Sequence, residues 1–245
     1  MYSFQSTVRY SEVDESGALS VPALLDYLQD SCLFQAESLG HGVAYTRECG
    51  LAWLLSAWRV EINRLPCFTE RIEVSTWATA FNGLYAHRNF AVDVCDADGC
   101  PAERVARADS LWFMFDGGRG RPVRAPLEET GVYDDDLAHD APLAMVPVRR
   151  RIPVEGDGEP AEPVVVTRAH IDTNHHVNNA QYVAMAHGVL PAGMPVRCLE
   201  VQYVNAARLG DTVHPRVHRP TDADPGWTVV LADDAGHPYA VVRVE

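Results

Sequence analysis

Asp172, Asn174 and His176 stand at alternate positions in the run Asp172-Thr173-Asn174-His175-His176-Val177-Asn178-Asn179, which continues into Ala180-Gln181-Tyr182. A carboxylate, an amide and an imidazole at this spacing suit transfer of an acyl group to water. Histidine titrates near neutrality and can orient or deprotonate a water molecule. A neighbouring carboxylate fixes its tautomer or acts as base itself. An asparagine amide, with the N–H groups of a following helix start, can face a developing oxyanion. The bland alternative is a polar loop capping a helix, with His176 in one satisfied hydrogen bond. His170, His175, His176 and His187 lack the H-E-x-x-H spacing of a zinc site. Gly17 and Gly40 fall in no phosphate-binding pattern, and the expectation is no cofactor and no metal.

The elements that must position these residues emerge when the chain is aligned with itself. With Asp14 set on Asp172, Val13-Asp14-Glu15-Ser16-Gly17-Ala18-Leu19-Ser20 lies over Ile171 to Asn178. Farther on, Asp96-Ala97-Asp98-Gly99-Cys100-Pro101 matches Asp233-Asp234-Ala235-Gly236-His237-Pro238. Two anchors in one order mark two copies of one domain. The copies share the aspartate and a helix cap, Ser20 or Asn178. Only the second has Asn174 and His176, where the first has Ser16 and Ala18. A group the fold requires belongs in both copies, whereas a reactive group need appear in one.

In the first copy, Ser20-Val21-Pro22 predicts a helix start, and Leu24, Leu25, Leu28, Cys32 and Leu39 recur at helical spacing up to Gly40. Leu33, Phe34 and Ala36 make that helix apolar over much of its circumference, so it is expected to be wrapped. Extended runs are predicted at 6–10, 58–63, 71–78, 85–95 and 103–115, with a hairpin at Asp98-Gly99. In the second copy a strand over 164–170 precedes a helix over 179–190, and strands follow at 197–204, 212–218, 227–231 and 239–244. The acidic, Gly- and Pro-punctuated stretch 129–162 reads as a linker.

With 245 residues, 47% apolar and 22% charged, the chain has the composition of two globular domains with separate cores. It has no uninterrupted apolar run of membrane-spanning length and no secretory-type N-terminus, so a cytoplasmic setting is expected. Its six cysteines form no C-x-x-C pair. Cys95 and Cys100 bracket the hairpin, and free thiols are the favoured reading. The net charge is −14 and all 20 basic residues are arginine. Such a field excludes nucleic acid and opposes acidic partners. Local exceptions are Arg119, Arg121, Arg124 and Arg149-Arg150-Arg151, either solvated loops or a docking patch for a phosphate or an acidic helix.

The motif Asp172-x-Asn174-x-His176-Val177-Asn178-Asn179-x-x-Tyr182 resembles the D-x-N-x-H-V-N-N-x-x-Y of the acyl-acyl carrier protein thioesterases of plants and bacteria. Supporting stretches are Leu24-Leu25-Asp26-Tyr27-Leu28-Gln29-Asp30, Gly50-Leu51-Ala52-Trp53-Leu54-Leu55 and Arg121-Pro122-Val123-Arg124-Ala125-Pro126. The resemblance implies an α+β double hotdog, two tandem repeats each with a long helix wrapped by an antiparallel sheet. It implies a first hotdog at 1–128 holding an acyl-chain tunnel, a linker at 129–162 and a second hotdog at 163–245 carrying catalysis. It places Asp172, Asn174 and His176 at the family's catalytic positions. The implied substrate is a fatty or polyketide-like acyl thioester on acyl carrier protein, or acyl-CoA, with a monomer or homodimer as the assembly.

One position departs from the family. An acidic residue, often beside a cysteine, usually follows a tyrosine after the helix; here Tyr203 leads to Ala206 and Ala207. Asn205 and Asp211 are the nearest stand-ins, Asn205 facing the opposite side of a continuing strand. The departure keeps a non-hydrolytic acyl-binding accessory role open. Asp14 is a further candidate, because single-domain hotdog thioesterases carry a catalytic aspartate in the corresponding loop. Its scaffold role would be to accept backbone N–H groups before Ser20.

Overall fold

In the computed structural model, which describes residues 1–222 and 224–245, the chain divides into two units, residues 1–56 with 60–148 and residues 57–59 with 149–245. The first unit begins with strand β1 (Tyr2–Thr7), shifted toward the N-terminus from the expected 6–10, where a 3-10 turn over Tyr10–Glu12 intervenes. Helix α1 (Val21–Ser38) starts where the sequence places it: the Ser20 hydroxyl accepts the N–H of Ala23 at 3.3 Å, and Pro22 sits in the first turn. Gly40, at φ 77°, takes the left-handed position just past its end.

A short helix α2 (Val43–Cys49) leads into β2 (Leu51–Ile62), which begins seven residues before the expected 58–63. Apolar residues fill 51–55 at consecutive positions, so the period-2 signal appears only later in the strand. Then come β3 (Arg71–Asn82), β4 (Tyr85–Cys95), β5 (Pro101–Asp116) and β6 (Arg121–Val123), the last paired to β5. The sheet order is β1-β3-β4-β5-β2, with antiparallel ladders joining β1, β3, β4 and β5 in turn. Helix α1 buries Val21, Leu24, Leu25, Tyr27 and Leu28 over this sheet. The wrapping is incomplete. Leu33 and Phe34 stay exposed, Phe34 resting edge-on against Phe4 at 5.2 Å.

Two short helices follow, α3 (Leu127–Gly131) and α4 (Asp134–His139). They correct the picture of a plain linker over 129–162, because one acid of each, Glu129 and Asp136, reaches inward rather than into water. Buried Glu129 accepts from Tyr45 at 2.7 Å. Buried Asp136 accepts from the Gln35 amide and from the backbone N–H of Ala78. The division between the units lies at 148/149, within that stretch.

The second unit comprises β7 (Glu159–Pro160), β8 (Val164–Val165), α5 (Asn179–His187), β9 (Cys198–Tyr203), β10 (Thr212–His218), β11 (Trp227–Ala232) and β12 (Pro238–Val244). Its sheet order is β9-β12-β11-β10-β7, antiparallel throughout, with β8 also on β10. The strand expected over 164–170 shrinks to two residues, since a 3-10 turn over Arg168–His170 replaces its second half. Helix α5 ends three residues before the expected 190. Gly188 closes it, and its N–H returns to the carbonyl of Ala184.

The two hairpin anchors share the same hydrogen bonds. Asp96 Oδ1 accepts the N–H groups of Asp98 and Cys100; Asp233 Oδ1 accepts those of Ala235 and His237. Gly99 and Gly236 share the left-handed conformation, at φ 84° and 85°. All six cysteines are free thiols.

Candidate active site

The loop carrying Asp172, Asn174 and His176 lies between the 3-10 turn at Arg168–His170 and helix α5. Asp172 closes it. Its Oδ1 accepts the N–H of Asn174 at 2.8 Å and that of His176 at 3.4 Å, while its own N–H donates to the His176 carbonyl at 2.9 Å. A single-residue bridge between Ile171 and Val177 holds the neck of the loop. Asn178 then caps α5, its side-chain oxygen accepting from Ala180 at 2.8 Å. The carboxylate therefore shapes the backbone that presents the amide and the imidazole. Asn174 is exposed and His176 half-buried. Neither side chain is tied by a hydrogen bond among the described residues, so both keep their donors and acceptors for a ligand.

The first unit holds the same loop with the same wiring. Asp14 Oδ1 accepts the N–H of Ser16 at 2.8 Å, Asp14 N–H donates to Ala18, and Val13 bridges Leu19. The match extends to the facing chain. Val8 bonds Glu70, as Val166 bonds Asp211; Leu19 bonds Pro66, as Val177 bonds Ala207. Asp14 thus has the scaffold role expected of it, and its loop offers no imidazole. Ser16 Oγ instead donates back to Asp14 at 2.6 Å.

That facing chain explains Tyr182, which sequence reasoning quoted as part of the motif without a role. Ala207 is fully buried and has an N–H to satisfy, and the Tyr182 hydroxyl accepts it at 2.8 Å. In the first unit the matching pair is Pro66 and Leu24. Proline has no N–H, and an apolar residue suffices opposite it. Burial pushes the Tyr182 hydroxyl up to about 12, which keeps it neutral. Aligning the copies at positions 66 and 207 would have disclosed this exchange from sequence.

Ala206 lies outside β9, which ends at Tyr203, and it is exposed. The alternation argument for Asn205 therefore does not apply; its amide donates to the Pro238 carbonyl at 3.0 Å. Asp211 is likewise occupied, accepting from Arg208 N–H at 2.8 Å and Tyr239 Oη at 3.3 Å. Neither stand-in supplies a free carboxylate beside His176.

The family model described as the acyl-ACP thioesterase N-terminal domain matches residues 1–133. A chloroplastic acyl-[acyl-carrier-protein] hydrolase of Cuphea viscosissima is 24% identical over 207 residues, 80% of this chain and 47% of the relative. The chain spans about half the length of the curated relatives it matches. A crystal structure of an acyl-ACP thioesterase from Bacteroides thetaiotaomicron matches with a TM-score of 0.85 and 24% identity, over 99% of this chain and 96% of that one. The 12:0-ACP thioesterase from Umbellularia californica gives 0.81 at 20% identity, over 100% and 96%. These likenesses establish the α+β double-hotdog fold that the resemblance of the motif implies.

Proposed function

Because this chain belongs to the acyl-ACP thioesterase family, we propose that it hydrolyses an acyl thioester at the Asp172 loop. The observation that carries this reading is the match between the two loops. Their backbones share the bonds that close the loop and tie it to the facing chain, yet only the second sets Asn174 and His176 where the first has Ser16 and Ala18. The imidazole is the general base. It takes a proton from water as the water oxygen attacks the thioester carbon, and it returns the proton to the leaving sulfur as the C–S bond breaks. The Asn174 amide donates to the carbonyl oxygen as that oxygen gains charge. Asp172 holds both groups in place through the loop.

The substrate we assign is a fatty or polyketide-like acyl chain on the phosphopantetheine arm of an acyl carrier protein. Purified protein should release free thiol and free acid from such a substrate. His176→Ala should lower that rate by about 100-fold or more, and equal rates in the two proteins would remove His176 from the mechanism. The absent carboxylate at Ala206 favours a second reading, an acyl-binding protein that does not hydrolyse. Saturable binding of acyl ligand without turnover on either carrier- or CoA-linked substrates would select it.

A further inference from the structure

The loop-to-loop match also isolates a change in charge. In the first unit, residues 8–20 and 65–70 carry Arg9 against Glu12, Asp14, Glu15 and Glu70. In the second, the matching residues 166–178 and 206–211 carry Arg168 and Arg208 against Asp172 and Asp211, with His170, His175 and His176 added. Arg168 stands where Tyr10 stands, and Arg208 where Cys67 stands. The second loop has thus lost the negative excess that its counterpart in the first unit keeps.

The backbone brings these arginines to the site. Gly210 N–H bonds the Val166 carbonyl at 3.0 Å, which sets the 208–211 turn beside the start of the 3-10 turn that bears Arg168. Arg208 follows Ala207, whose carbonyl accepts from Val177, the neighbour of His176. In the first unit Tyr10, at the position of Arg168, touches Phe68, at the position of Leu209, at 5.8 Å between ring centres. Arg168 and Arg208 are exposed, and neither guanidinium has a carboxylate partner among the described residues. Between them Leu209 is 56% exposed, and Val165, on β8, is 57% exposed. Of the arginines singled out from sequence, Arg119 pairs with Asp116 and Arg149 approaches buried Glu200.

We propose that Arg168 and Arg208, with Leu209 and Val165 beside them, form the docking surface for an acidic carrier protein that delivers its acyl arm to the His176 loop. The inference rests on the thioesterase reading. Two cations flanking an apolar contact fit an acidic helix with an apolar ridge, and they act over short range against the repulsion of the whole chain. The partner's charge steers it to the face of the second unit that carries the His176 loop.

The test uses the full chain and a phosphopantetheinylated, fluorescently labelled acidic acyl carrier protein, whose binding is measured by anisotropy with or without turnover. Arg168→Glu/Arg208→Glu should weaken that binding at least tenfold and flatten its salt dependence, while Arg47→Glu, an exposed arginine elsewhere, should not. Leu209→Asp should weaken it without changing the salt slope. On one acyl chain, the double reversal should raise KM for the carrier-linked form and leave N-acetylcysteamine-linked turnover unchanged. Unchanged carrier binding overturns the proposal. An equal loss on CoA-linked substrate also overturns it, by assigning the arginines to nucleotide phosphates. Absent turnover on every substrate, with carrier binding still lost in the reversal, would sink the hydrolase reading and leave the docking surface standing.

Discussion

His175 holds, at φ 63°, the left-handed backbone position that Gly17 holds at φ 81° in the matching loop of the first unit. Both residues donate their N–H to the aspartate carbonyl three residues back, at 3.1 and 3.0 Å. The loop therefore demands this conformation whatever side chain occupies it, and a side chain with a Cβ is strained there.

His175→Gly should fold with stability within about 0.5 kcal/mol of the parent, because relief of the left-handed strain offsets the added freedom of the unfolded glycine. His175→Val should lose about 1–2 kcal/mol, since a β-branched residue tolerates positive φ poorly. Urea unfolding decides the point, and equal midpoints for the two variants would refute the strain argument.

The two aspartates separate shape from chemistry. Asp14→Ala should cost about 1–2 kcal/mol of stability by freeing the Ser16 N–H, with thioester turnover of the surviving folded protein unchanged. Asp172→Asn retains a side-chain oxygen for Asn174 and His176, so stability should hold within about 1 kcal/mol. Its turnover should fall about tenfold or more if the negative charge supports the imidazolium. Parallel melting and rate measurements would expose an Asp14 variant that loses activity, an outcome incompatible with a scaffold role.

Ala206→Glu places a carboxylate at the position that matches the acid following the tyrosine in the family's pattern. The position is exposed and beyond β9, so the melting temperature should stay close to the parent's. Turnover should rise about tenfold, as a second group able to hold or activate water joins His176. A rate equal to the parent's would show that the loop residues suffice.

Asp26 gives a pH signature distinct from the site. Desolvation of its carboxyl, then the charges of Asp30 and Glu12, raise it to about 6. The folded value lies above the unfolded one, so folding favours the protonated form. Stability is therefore greatest below the unfolded value near 4 and falls as pH rises toward 6. Asp26→Asn should match the parent at pH 4 and exceed it at pH 7 and above. Urea midpoints across that range test this; a constant difference at all pH values would point to another cause.

The repeat, the caps and the hairpin turns were legible in the sequence because each depends on local chemistry. An Asx residue two positions before the N–H it accepts, a hydroxyl before a helix and a glycine at positive φ all leave marks at fixed spacing. The same comparison separated Asp172, which the scaffold uses, from Asn174 and His176, which it does not. Tertiary structure decided the rest. The start of β2 was hidden by consecutive apolar residues, and helices α3 and α4 by acids that are buried only because Gln35, Tyr45 and Ala78 meet them. The role of Tyr182 and the placing of Arg168 near Arg208 depend on the contacts of the turn at 207–211 with the loop. Those contacts join residues 25 to 45 positions apart, and no periodicity in the chain encodes them.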